Sequence, residues 1–164
     1  METILFGTKV ATLVTLVGKD LIFASVSTTA GAVMSTFSYL TGVDKPGLSE
    51  FKKRMKELDL ENTIMLLGAF VKEIEERTQG DKDKIPNSLH IALNGVDACL
   101  KEINDELDHV KDKIEKHNGL WFKGMRPTSF ENSIKRMNKY HAILMIRKED
   151  LLKLASYHKL APKE

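Results

Sequence analysis

Between Pro86 and Trp121 the apolar positions Leu89, Leu93, Val96, Leu100, Ile103, Leu107, Val110 and Ile114 recur with 4-3-4-3-4-3-4 spacing. A heptad seam sustained this long predicts one amphipathic helix inside a bundle or coiled coil. The rhythm reaches on to His117 and Trp121. Pro86 suits a first helical turn, where its missing N–H costs nothing, and Asn87 and Ser88 are further capping residues. Asn118-Gly119 is a stop signal, because both residues tolerate the left-handed conformation. About thirty residues at about 1.5 Å each span about 45 Å, so this helix needs neighbours of similar length to cover its seam. Its other faces carry charges of both signs, from Lys101 and Glu102 to Glu115 and Lys116. They read as a solvated surface worth tenths of a kcal/mol per pair.

A second seam follows the same rule. Leu60, Ile64, Leu67, Val71 and Ile74 are spaced 4-3-4-3 and predict a helix over residues 58–78 with Asp59 as N-cap. The polar run from Thr78 to Lys84 contains Gly80 and reads as a loop. Upstream, Asp44-Lys45-Pro46-Gly47 is turn chemistry. Ser49 then caps a short helix at 49–57, with Phe51, Met55 and Leu58 as its apolar positions. Past the long helix, Thr128 or Ser129 caps a helix over 129–158, with Glu131 supporting its dipole. Its stripe is Phe130, Ile134, Met137, His141, Leu144, Lys148, Leu151 and Ala155. Ile143, Ile146, Leu152 and Leu154 widen that stripe and predict burial over a broad arc near the end. The last four residues should fray.

Residues 1–43 have a different composition. Their only charges are Glu2, Lys9, Lys19 and Asp20, and none occurs from Leu21 to Val43. That run has the length of a membrane span, but Ser25, Ser27, Thr28, Thr29, Ser35, Thr36, Ser38 and Thr41 dilute it. Small residues recur every fourth position (Ala24, Thr28, Ala32; Ser27, Gly31, Ser35) and permit close helix packing in lipid or in protein. Two readings stay open. One is a buried helix, or two short helices broken near Gly31, packed on the rest. The other is a membrane-contacting segment. A signal peptide fits poorly, because no basic region precedes the apolar run.

The 164 residues suit one domain with a proper core. A formal net charge of +2 is too small to imply nucleic acid, which is not expected as a partner. Charge is unevenly placed. Residues 120–164 hold ten Lys or Arg against four Asp or Glu, while residues 49–119 are net acidic. Pairing of the basic last helix with the acidic long helix is the simplest use of that asymmetry; an acidic or phosphate-bearing partner is the other. The fold class expected is all-α. It would be an antiparallel four-helix bundle with one long central helix and an apolar N-terminal helix, divided as segment 1–43 and a helical bundle over 44–164.

Candidate chemistry is thin. Cys99 is the single cysteine, so no intrachain disulfide can form, and it reads as a buried inert thiol. Glu106-x-x-His109 has the spacing used by di-iron bundles, but those sites need a second copy and two further glutamates. Flanking the seam, both side chains should face water, so no metal and no cofactor is expected. His117 and His141 fall at seam positions as partly buried histidines. Ser156-Tyr157-His158 has no acid partner in register. No phosphate loop, zinc spacing or nucleophile elbow occurs, and no enzyme activity is expected. The remaining cluster is Trp121 and Phe122 beside Lys123 and Arg126. It is the candidate interaction site, as a protein-interface anchor or a membrane-surface anchor. The alternative is a plug for the end of the bundle.

The runs Leu89-His90-Ile91-Ala92-Leu93-Asn94-Gly95-Val96 and Lys116-His117-Asn118-Gly119-Leu120-Trp121-Phe122-Lys123-Gly124-Met125-Arg126 resemble small uncharacterised helical proteins of nucleocytoplasmic large DNA viruses. The resemblance covers roughly residues 58–155. It departs from that pattern at Met125, where an aromatic residue is expected. It implies a viral component and brings no catalytic residues. The layout is also similar to HeLo-type four-helix bundles, in architecture alone. The function expected is that of a non-enzymatic interaction or structural module with a protein partner or self-association, inside the cell or the virion. A bundle that engages a membrane surface through its apolar N-terminal segment is the alternative.

Overall fold

A computed structural model describes residues 16–118 and 129–160. Within them the chain is all-α, with five α-helices and no strand. The helices are α1 (Ile22–Gly42), α2 (Leu48–Glu57), α3 (Leu60–Thr78), α4 (Asn87–Asn118) and α5 (Glu131–Tyr157). Among the described residues no helix is long and apolar enough to cross a membrane.

The seam readings hold residue by residue. All eight apolar seam positions of α4 are buried, from Leu89 to Ile114, as are the five of α3. Burying a Leu, Ile or Val side chain is worth about 1.5–3 kcal/mol relative to exposure, so α4, which covers apolar surface along its whole length, dominates the core. On α5, Phe130, Met137, Leu144, Leu151 and Ala155 are buried. The broad arc expected near its end is half formed: Ile143 and Leu154 are partly buried against the core, but Ile146 and Leu152 are exposed. They project to the side of α5 that no other described helix covers.

Helix ends follow local chemistry, with corrections. The turn before α2 closes with a Leu48 N–H donated to the Lys45 carbonyl at 3.1 Å, and Gly47 takes φ 86°. That places Pro46 and Gly47 at the central positions of a type II turn, where a positive φ calls for glycine. Gly47, not Ser49, therefore precedes α2, and Ser49 is inside it. Asp59 does precede α3, but in a left-handed conformation without a side-chain cap. Its carboxylate accepts instead from the Asn62 amide at 3.0 Å. Gln79 and Gly80, both at positive φ, end α3 by donating to the Glu76 and Glu75 carbonyls. Before α5, the Ser129 hydroxyl accepts from the Glu131 N–H at 3.4 Å.

α1 is one unbroken helix, not two. Ile22, Phe23, Val26, Ala30, Val33 and Leu40 are buried against the protein, while Ala24, Ser27, Thr28, Gly31, Ala32 and Ser35 are exposed. The small residues thus line the outside of the helix rather than a close helix–helix contact. α1 packs on α4 and on α3, α5 packs on α4, and α2 touches α3 and α5.

Side-chain bonds set the direction of each pair. Along α1 and α4, Ser25 bonds Asp97, Thr36 bonds Asp108 and Tyr39 bonds Glu115, so both numbers climb together. These two helices run in the same direction, contrary to an arrangement antiparallel throughout. Along α4 and α5, Cys99 meets Tyr140, Glu106 meets Arg136 and Lys113 meets Ser129, which is antiparallel. Ahead of α1 the chain is strapped to the start of α4. Asn94 Oδ1 accepts from the Val17 N–H at 2.7 Å, Asn94 Nδ2 donates back to the Val17 carbonyl at 3.2 Å, and His90 Nε2 donates to the same carbonyl at 2.6 Å. Lys19 Nζ adds a bond to the Ile85 carbonyl at 2.7 Å. At the other end of α1, Lys52 Nζ donates to the carbonyls of Thr41 and Val43.

Candidate interaction surface

The four residues singled out as an interaction site, Trp121, Phe122, Lys123 and Arg126, lie outside the described residues. Lys113 reaches from the last turns of α4 over the Phe130 ring, 5.7 Å from its centroid.

The Glu106-x-x-His109 pair is split by the fold. His109 is exposed as expected, but Glu106 is buried. Its carboxylate accepts a two-pronged bond from Arg136 of α5, Nε to Oε2 at 2.5 Å and Nη2 to Oε1 at 3.0 Å. The antiparallel approach of α5 covers this edge of the seam and supplies the cation that makes burial of the carboxylate tolerable. That bond also holds the Arg136 guanidinium further in its charged form. Among the described residues, no group of three or more His, Cys, Asp or Glu side chains is arranged to hold a metal ion.

Cys99 is buried, and its thiol donates to the Tyr140 carbonyl at 3.4 Å. Burial pushes its pKa up to about 11, partly opposed by Arg147, so the nucleophilic thiolate is scarce at neutral pH. His141 of α5 is half-buried, and its Nε2 has no hydrogen-bond partner among the described residues. Burial lowers its pKa. The fold does bring Ser88 to His158, Oγ to Nε2 at 3.0 Å across 70 residues of sequence. That is the distance of a nucleophile and its base, but Ser88 is exposed and no hydrogen-bonded carboxylate orients the ring among the described residues. The pair ties the end of α5 to the start of α4.

What the outer face of α4 and α5 does present is an open apolar groove. One part, a cavity of about 520 Å³, lies over Gly95 and Cys99 and between Leu16, Ile91, Tyr140 and Arg147. A second of about 390 Å³ continues past Ile91 and Arg147 along Ala92 and Leu154. Leu16 is 56% exposed and Ile91 62%. Gly95 shapes the groove. A Cβ there would stand 3.3 Å from Arg147 Cδ and 3.4 Å from Nε. Its absence lets the arginine lie flat across α4. Arg and Tyr beside exposed aliphatic side chains are the composition enriched where binding energy concentrates in protein interfaces. Two signals in the sequence pointed here: Ile91 is apolar but off the seam, and Gly95 interrupts a helix of otherwise good formers.

No family model matches the chain, and no curated protein or solved structure matches it.

Proposed function

We propose that this chain is a non-enzymatic helical bundle acting as a protein-interaction module, and that its partner meets the outer face of α4 and α5. α1, α3, α4 and α5 would be the four helices of the bundle, with α2 closing one end between α3 and α5. The observation that supports the interface is the pairing of exposed Leu16 and Ile91 around Arg147, laid over Gly95. Elsewhere Ser25, Thr29, Thr36, Glu106 and Arg136 bond across helix pairs. The likeness of residues 58–155 to small helical proteins of large DNA viruses is the support for a viral setting.

The test is affinity purification followed by crosslinking mass spectrometry, comparing wild type with an Ile91→Asp, Arg147→Glu variant. The expected result is a stoichiometric partner crosslinked to α4 and α5 that is lost in the variant, with the melting temperature unchanged. A partner retained by the variant would remove this face from the proposal. Flotation on anionic and neutral liposomes addresses the membrane alternative. The six buried apolar side chains of α1 face the protein interior, so lipid contact by this helix requires it to leave α4. Flotation with anionic liposomes in the absence of any protein partner would favour that alternative.

A further inference from the structure

We infer that Asp97 and Asp108 form a two-point lock that sets the register of α1 on α4. Asp97 is 2% exposed, yet both of its carboxylate oxygens are occupied. Oδ2 accepts from the Ser25 hydroxyl at 2.8 Å and from Lys101 Nζ at 2.7 Å. Oδ1 faces the Thr29 hydroxyl at 3.1 Å, whose proton is shared with the Ser25 carbonyl at 2.9 Å. The second point is the Thr36 hydroxyl on Asp108 Oδ1 at 3.2 Å, while Asn104 holds Oδ2 at 3.1 Å.

The two points have matched spacing. Ser25 and Thr36 are eleven residues apart, and so are Asp97 and Asp108. Eleven residues make three helical turns, which returns each pair to one face of its helix. Two helices running the same way therefore meet both points at once, and the Val17–Asn94 strap fixes which way they run.

The apolar pattern cannot set this register alone. On α1 the apolar positions repeat every seven residues: Val26, Val33, Leu40 in one row and Phe23, Ala30, Phe37 in another. The α4 seam has the same period. Sliding α1 by one heptad, about 10 Å, would still put apolar side chains into the core. It would put Gly18 or Ala32 where Ser25 now stands, so that Asp97 Oδ2 keeps Lys101 of its own helix but loses the Ser25 hydroxyl. Loss of a hydrogen-bond donor from a buried carboxylate is disfavoured, and a buried polar group that selects register is the best-attested role of such groups.

The test uses paired spin labels and pulsed electron–electron distance measurement in the full chain. Labels go at the exposed positions Ala24 and Lys116 (Ala24→Cys, Lys116→Cys), with Cys99→Ser. The unmodified lock should give one distance peak. Asp97→Leu with Asp108→Leu removes both points and should add a second population displaced by about 10 Å along the helix axis. Ser25 and Thr29 lose nothing in that variant, because their hydroxyls can bond carbonyls four residues earlier. If the double variant does not fold, Asp97→Ser alone serves, and it too should show the second peak. Exchanging the partners, Ser25→Asp with Asp97→Ser, should return a single peak. One unshifted peak in every folded variant lacking Asp97 would overturn the lock. A second peak that persists after the exchange would overturn it as well.

Discussion

The two flanks of α4 are built on different principles. Toward α1 the helices are parallel, and their part-buried polar contacts join short hydroxyls to aspartates: Ser25 and Thr29 to Asp97, and Thr36 to Asp108. Toward α5 they are antiparallel, and the main polar contact is one forked ion pair, Glu106 with Arg136. The α5-side pair is lopsided. The Glu106 side chain is 7% exposed, while that of Arg136 is 43% exposed. Water can serve the arginine if its partner is lost, but it cannot serve the glutamate. On the α1 side the hydroxyls have fallback acceptors in their own helix, as Thr29 shows with the Ser25 carbonyl. A broken contact therefore strands a buried charge on the α5 flank when the cation goes, whereas on the α1 flank Asp97 keeps Lys101 of its own helix.

The largest expected effect removes what both flanks share. Leu100→Asp or Ile103→Asp places a carboxylate at a fully buried seam position and should unfold the domain, at a cost of several kcal/mol. Cooperative melting near the wild-type temperature in both variants would show that α4 is not the centre of the core.

Next comes the asymmetry of the ion pair. Arg136→Ala leaves Glu106 buried without its cation and should destabilise by about 2–3 kcal/mol, while Glu106→Ala leaves a solvated arginine and should cost about 1 kcal/mol. Urea unfolding of the two variants checks the order. Equal losses would mean that the half-exposed arginine is as dependent on the pair as the glutamate.

The aspartate flank should respond less. Asp97→Leu replaces a buried carboxylate by an apolar side chain of similar size, and stability should stay within about 1 kcal/mol of wild type. A loss as large as that of Arg136→Ala would erase the difference between the flanks.

The smallest effect is conditional on pH. Burial lowers the His141 pKa below its ordinary value of 6.5. The unfolded chain thus binds more protons, so the stability due to this group is fully present above about pH 6.5 and is lost as pH falls from there through the lower pKa of the folded state. The groups named around the histidine are Leu58, Arg54 and Asp59, at α2 and the start of α3. His141→Leu should therefore flatten this acid dependence without changing the contrast between Asp97→Leu and Arg136→Ala. Urea midpoints at pH 7.5 and 5.5 measure both. An acid-dependent loss of the same size in the variant would assign it to other groups.

The proposed interaction surface was only partly legible. Ile91 and Gly95 stand out from the seam of α4 in one dimension, but Leu16 and Arg147 join them only because the strap at Val17 and the antiparallel α5 bring them there. Glu106 misled for the converse reason. Its place beside the seam predicts exposure until a second helix covers that edge. Ile146 and Leu152 widened an apolar stripe in sequence, yet no described helix lies over them.

The helices themselves were written in spacing and stop signals. The expected spans 58–78, 86–118 and 129–158 became Leu60–Thr78, Asn87–Asn118 and Glu131–Tyr157. Periodicity, turn residues and capping act over four or five neighbours, so the sequence determines them locally. The direction of α1 on α4 and the burial of Glu106 were decided by tertiary structure. Heptad patterns are satisfied by a parallel or an antiparallel neighbour and by more than one register. Only bonds between residues some 30 to 77 positions apart, such as Glu106 with Arg136 and Val17 with Asn94, select among them.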